Sequence, residues 1–103
     1  MEFLNLLPET HLEEIETRSR LKTQVLFKHS TRCIVSSMAL MKLRSCSVDA
    51  DCWILDLLRF REISNDIAKR YAIPHQSPQI IVLQDEKVVL NASHEQIDCD
   101  KIP

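Results

Sequence analysis

Val25-Leu26-Phe27-Lys28-His29-Ser30-Thr31-Arg32-Cys33-Ile34-Val35-Ser36 is the stretch that decides the fold, because the backbone period changes inside it. Val25, Leu26 and Phe27 form a continuous apolar run, short enough for a strand buried on both faces. The polar run Lys28 to Arg32 ends it. From Ile34 to Leu43, the residues Ile34, Met38 and Met41 fall at helical spacing, Val35 and Ala39 widen the stripe, and Lys42 and Arg44 suit the C-terminal end of a helix dipole. A strand running directly into a helix, with Cys33 at the junction, is therefore expected.

Outward from this unit, Cys52 to Leu58 is a second apolar run after the polar loop Ser45 to Asp51, and its first half reads as a strand. Arg61 to Tyr71 is helical in pattern, since Ile63, Ile67 and Tyr71 recur every four residues, and Pro74 stops it. Gln79 to Gln84 and Lys87 to Ala92 flank Asp85-Glu86 as a hairpin would, although the turn lacks glycine. Toward the N-terminus, Glu9 to Ser19 reads as a short surface helix on Leu12 and Ile15; beyond Ser93 a short, frayed helix is expected at most. A strand, helix, strand unit prefers a parallel pair with a right-handed crossover, whereas the terminal hairpin is antiparallel. The order predicts an α/β fold: one domain over residues 1–103 with a mixed four-stranded sheet flanked by helices.

Composition narrows the chemistry. The chain has 103 residues, 45% of them hydrophobic, enough for one core. A net charge of −2 with interspersed signs argues against nucleic acid as a partner. With no glycine at all, the usual phosphate loops and dinucleotide fingerprints are excluded. The first residues lack the basic start and apolar core of a secretory signal, and no run approaches a membrane span, so a cytoplasmic location off the membrane is expected. In that compartment Cys33, Cys46, Cys52 and Cys99 are not expected to form stable disulfides. They contain no C-x-x-C pair, and no metal site is expected. Cys52 reads as a buried strand residue, Cys46 as a loop or helix-end residue and Cys99 as a mobile tail thiol; none is marked as a resolving partner.

Cys33 stands where a strand has ended and a helix begins, near unpaired amides and the positive end of the dipole, with Lys28, His29 and Arg32 close in sequence. Those features favour the thiolate, the nucleophile of disulfide exchange. The plainer reading is an inert sulfur filling space under the helix. Cys33-Ile34-Val35-Ser36 has dithiol spacing with a hydroxyl in place of the second sulfur. Ser36 could hydrogen-bond the thiolate or merely the backbone. Ser77-Pro78 precedes a strand, and on the residues alone a trans bond is the default.

Phe27 to Cys33 followed by Ser36-Ser37-Met38-Ala39-Leu40, then Leu55-Asp56-Leu57-Leu58, Arg61 with Ile63-Ser64-Asn65, His75 with Ser77-Pro78-Gln79, and Ala92-Ser93-His94 resemble, in order and spacing, the monothiol bacilliredoxin family. The resemblance implies a thioredoxin-like fold and a thiol–disulfide oxidoreductase. Cys33 would be the attacking cysteine and Pro78 a cis-proline facing it, with Thr31, Arg32, Ser36 and Ser77 supporting the site. It implies no tightly bound cofactor, bacillithiol as thiol co-substrate, and bacillithiolated proteins as partners. Lys28 and His29, together with Arg32, are then candidates to attract the carboxylates of bacillithiol, and His75 and His94 to approach the site. The chain departs from the family at Ile34, where proline is common, and in its short segment after His94. Two other readings stay open: a redox-sensing or binding module capped at Cys33 without turnover, and a glutaredoxin-like iron–sulfur carrier.

Overall fold

The computed structural model describes residues 1–103. In chain order its elements are β1 (Glu2–Asn5), α1 (Leu12–Arg18), β2 (Thr23–His29), α2 (Ile34–Arg44), β3 (Ala50–Asp56), α3 (Arg61–Tyr71), β4 (Gln79–Gln84) and β5 (Lys87–Ser93). Two 3-10 turns, His94–Gln96 and Cys99–Lys101, follow. The sheet order is β1-β3-β2-β4-β5, with β2 in the centre, parallel to β3 and antiparallel to β4. The mixed α/β sheet is as expected but has five strands instead of four. The added strand, β1, pairs parallel with β3 at the sheet edge, from Glu2 opposite Asp51 to Asn5 opposite Ile54. Four residues with no alternation of burial carry too little pattern for a strand to be read, and their partner lies far along the chain.

The period of β2 distributes its side chains between two cores. Val25 and Phe27 enter the cluster under α2 with Ala39, Leu43, Ile80 and Val82. Leu26 enters the opposite cluster with Ile15 of α1, Ile67 of α3, Leu55 and Ile81. Each of the buried Val, Leu, Ile and Phe side chains contributes roughly 1.5–3 kcal/mol of transfer free energy. On the second face Glu16 of α1 accepts two hydrogen bonds from Arg70, at 2.9 and 2.7 Å, and one from the Tyr71 hydroxyl at 2.9 Å, tying α1 to α3. The Arg70 guanidinium holds the Glu16 carboxyl below the usual range.

Three expectations are corrected here. α2 is a helix over the expected span, but the stripe that announced it faces water: Ile34, Met38 and Met41 are 79%, 56% and 71% exposed. The buried face is Ser36, Ala39 and Leu43, because the small Ser36 and Ala39 let the helix approach the sheet. The final segment is not a frayed tail either. Ile97 and Ile102 are buried in the core under α2, and Cys99 is joined to Cys46 in a disulfide with a Cα–Cα distance of 5.7 Å. The expectation of no stable disulfide therefore fails for this pair. The end of α2 and the last turn of the chain meet in space, which a sequence separation of 53 conceals.

The hairpin turn shows how a chain without glycine bends. Asp85 and Glu86 have φ of 51° and 63°, the left-handed region that a two-residue hairpin of this kind requires. The strain of placing side chains there is offset from outside the turn. Asp85 N–H donates to the Ser19 carbonyl at 2.8 Å, Glu86 N–H to Ser19 Oγ at 2.8 Å, and the Arg20 guanidinium pairs with the Glu86 carboxylate. Ser19→Ala leaves the Glu86 amide without its acceptor and is expected to lower stability by about 1–2 kcal/mol. Urea denaturation reads this directly, and a midpoint equal to wild type would show that the turn holds itself.

Candidate functional site

Cys33 is the N-cap of α2, with extended backbone (φ −110°, ψ 123°) and partial exposure. Its carbonyl accepts the Ser37 amide at 3.0 Å, closing the first helical turn, and its own amide donates to Ser30 O at 3.2 Å. The side chain makes no capping hydrogen bond, and the first turn of α2 holds no acidic residue to oppose an anion. The cysteine also stands beyond the C-terminal ends of the parallel strands β2 and β3, where Leu57 N–H donates to His29 O at 3.1 Å. Sites in α/β sheets collect at such an edge. No enclosed cavity surrounds the sulfur: the surface hollows of the molecule are lined by other residues, so Cys33 is presented on an open face.

The two residues expected on the loop as charges facing a substrate lie inside β2. Lys28 is 1% exposed, and its ammonium donates to the Ser64 carbonyl of α3 at 3.1 Å and to His75 Nδ1 at 3.2 Å. Burial pushes its pKa down to about 8. His29, 7% exposed, points to the opposite face, with its ring stacked on Phe27 at 5.3 Å. Burial lowers its pKa; the Asp56 carboxylate partly opposes the shift and Arg44 adds to it. Strand alternation, which the polar character of this pair disguises, sends the two side chains apart. Arg32 and Thr31 do remain on the exposed turn.

Ser36 is buried three residues after Cys33, but its hydroxyl does not bond the sulfur. It accepts the Ser30 amide at 3.0 Å and lies 2.7 Å from His29 Nδ1. With Nδ1 unprotonated, the neutral imidazole accepts a hydrogen bond from the Ser36 hydroxyl, so this serine ties the first turn of α2 to the end of β2. The Ser77-Pro78 bond is cis and Pro78 is buried. Because Lys28 pairs with Gln79, Pro78 lies at the end of the sheet from which Cys33 emerges. Its carbonyl accepts the His94 amide at 3.0 Å, which brings His94 beside it through backbone alone. Ser77 Oγ and Asp56 Oδ1 are buried without hydrogen-bond partners.

The remaining sulfurs are elsewhere. Cys52 is completely buried in β3, and burial pushes its thiol up to about 12. Cys46 follows the far end of α2, which at about 1.5 Å per residue puts it roughly 20 Å from Cys33. No group of three His, Cys, Asp or Glu side chains converges as a metal ligand set. Sequence reasoning missed Ser64, whose carbonyl and hydroxyl meet Lys28 and His75. The available signal was Lys28 itself, since a lysine directly after a strand-core apolar run needs a buried acceptor if the strand continues.

Comparison with known proteins bears on the family and the fold. A family model described as monothiol bacilliredoxin BrxC matches residues 5–102. Among solved structures, a protein with a thioredoxin fold is 23% identical with a TM-score of 0.77, over 95% of this chain and 88% of its own. A thioredoxin from Schistosoma mansoni is 20% identical with a TM-score of 0.68, over 93% and 86%. A thioredoxin variant from Halobacterium salinarum is 18% identical with a TM-score of 0.67, over 96% and 82%. These structural likenesses establish the thioredoxin-like fold.

The two lowered imidazoles fix a pH dependence. His29 and His75 take up protons near 6.5 when unfolded and only at lower pH when folded, so the unfolded chain binds more protons as pH falls through 6.5. Stability should be level just above that value and decline below it. His29→Gln and His75→Gln should each flatten the decline. Urea midpoints across this range check it, and midpoints constant down to the carboxylate range would refute the shifts. Lys28 acts in the alkaline range: its folded value of about 8 against 10.5 makes stability rise as pH climbs between them.

Proposed function

Since the chain belongs to the monothiol bacilliredoxin family and is a thiol–disulfide oxidoreductase of thioredoxin fold, we propose that Cys33 is its attacking cysteine and removes bacillithiol from protein mixed disulfides. One observation carries the assignment. Of the four cysteine sulfurs, Cys33 alone is both unpaired and reachable, because Cys52 is buried and Cys46 and Cys99 are joined to each other.

The Cys33 thiolate attacks the bacillithiol sulfur of the mixed disulfide. The sulfur–sulfur bond to the target protein breaks, the protein cysteine leaves as thiolate and takes a proton, and bacillithiol is now bonded to Cys33. A second bacillithiol, as thiolate, attacks the bound bacillithiol sulfur, releasing bacillithiol disulfide and restoring Cys33. Ser36 supports this external second step: the position of a resolving sulfur is occupied by a hydroxyl engaged with His29 and Ser30. The separation of roughly 20 Å argues against Cys46 as an internal resolver.

Arg32, with Thr31 beside it, is the exposed cation adjacent to the sulfur that suits the bacillithiol carboxylates. Burial moves Lys28 and His29 from direct contact with those carboxylates to holding the scaffold behind it. Pro78 and Ser77 supply the neighbouring backbone edge for the substrate. The partners in this reading are bacillithiol and bacillithiolated proteins, and the place of action is the cytoplasm. No helix is long and apolar enough to cross a membrane.

Cys33→Ser is expected to abolish turnover of a peptide–bacillithiol mixed disulfide with excess bacillithiol. Cys46→Ser and Cys99→Ser should retain turnover within about twofold while losing part of the roughly 4 kcal/mol that closing a loop of this length contributes at most. Equal loss of turnover in all three would instead indicate an internal dithiol cycle. Stoichiometric capping of Cys33 without multiple turnovers would make the protein a sensor.

A further inference from the structure

We propose that Lys28 and His75 form a clasp that holds the segment leading to Pro78 against β2, making both positioning residues for attack at Cys33. The inference rests on Cys33 being the nucleophile and adds how the substrate-side backbone is kept in register with it.

The segment between α3 and β4 begins at Ala72, whose φ of 53° turns the chain away from the helix, and ends at Gln79. Two cross-strand partners on the α3 side of the sheet grip it. Gln79 donates to the Pro74 carbonyl at 3.2 Å and its side-chain oxygen accepts the Gln76 amide at 3.2 Å. Lys28, opposite Gln79 in the register, reaches the side chain of His75 between them. The Ser64 hydroxyl lies 3.0 Å from the same Nδ1, so β2, α3 and the segment meet at one ring nitrogen.

The choice of lysine is informative. Its ammonium forms no ion pair with a carboxylate, and a methionine or leucine would fill the space without the cost of burying a charge. What lysine provides and an apolar residue cannot is a donor that reaches both the Ser64 carbonyl and His75. An ammonium only donates, so Nδ1 must present its lone pair and the ring proton must sit on Nε2. A doubly protonated ring would set an N–H and a positive charge against Lys28, with Arg61 of α3 adding to the repulsion. The clasp is therefore closed when His75 is neutral and opens in acid. Opening frees the stretch that ends in Ser77 and Pro78, at the sheet end from which Cys33 emerges.

The test uses the full chain, a fluorescent peptide in mixed disulfide with bacillithiol, and reduced bacillithiol in excess. A second assay, alkylation by iodoacetamide, reports Cys33 alone, since a small uncharged reagent needs no docking segment. At neutral pH, Lys28→Met and His75→Ala are each expected to lose about tenfold in kcat/KM, mostly through KM, with alkylation within about twofold of wild type. His75→Gln, which offers a non-titrating acceptor, should recover most of the His75→Ala loss. In wild type the ratio of turnover to alkylation should fall as His75 protonates, and in His75→Gln it should stay level.

Circular dichroism screens for folding, and the exposed His75 variants keep the test decisive if Lys28→Met does not fold. Unchanged kcat/KM in the His75→Ala protein overturns the clasp. So does a parallel loss of alkylation, which would assign the effect to the charge of Cys33 itself. Retained turnover in Cys33→Ser would instead overturn the reading beneath it, and so the two failures are distinct.

Discussion

The structure depends on how the end of its central strand is buried. β2 has neighbours on both sides and packed elements on both faces, yet its last two side chains are polar, and each leaves on a different face. An unpaired amine or imidazole there would cost several times the value of an ordinary hydrogen bond. The solutions recruit the surroundings. Lys28 draws in Ser64 of α3 and His75 of the following segment, while His29 engages Ser36 in the first turn of α2. Two requirements for satisfying polar groups thus tie the first turn of α2 and the segment between α3 and β4 to the end of the same strand.

The arrangement also separates the cysteine sulfurs in space. Cys33 stands at one end of α2 with a hydroxyl where a dithiol enzyme would keep its second thiol. Cys46 and Cys99 close the other end, and Cys52 lies under the helix in β3, too buried to ionise at neutral pH. A monothiol cycle needs such isolation, because any internal thiol within reach would capture the intermediate before an external one did. The helix serves as a spacer as well as a dipole.

Much of this was legible in the residues. β2, β3, α3 and the hairpin declare themselves through short apolar runs, a four-residue repeat and a polar turn, and Cys33 falls at the junction they define. The failures have physical causes. Glu2–Asn5 is too short to show a period. α2 has the right period on two faces, and the larger apolar side chains faced solvent because the sheet accepts only small ones near Ser36. Lys28 and His29 read as loop because polarity outweighed the strand in which they continue. The disulfide and the meeting of Lys28, Ser64 and His75 arise from tertiary approach, which no local pattern encodes.

The hairpin at Asp85-Glu86 is one of three places where this chain, lacking glycine, turns left-handed on residues with side chains; Ala72 and His94 are the others. Every residue here carries a Cβ, so the denatured ensemble is narrower than in an ordinary chain of this length and less backbone freedom is surrendered on folding. The local discomfort of four positive φ angles is thus set against a saving spread over the whole polypeptide. Tight bends in this protein are enforced by distant partners such as Ser19, and the backbone has no intrinsic swivels.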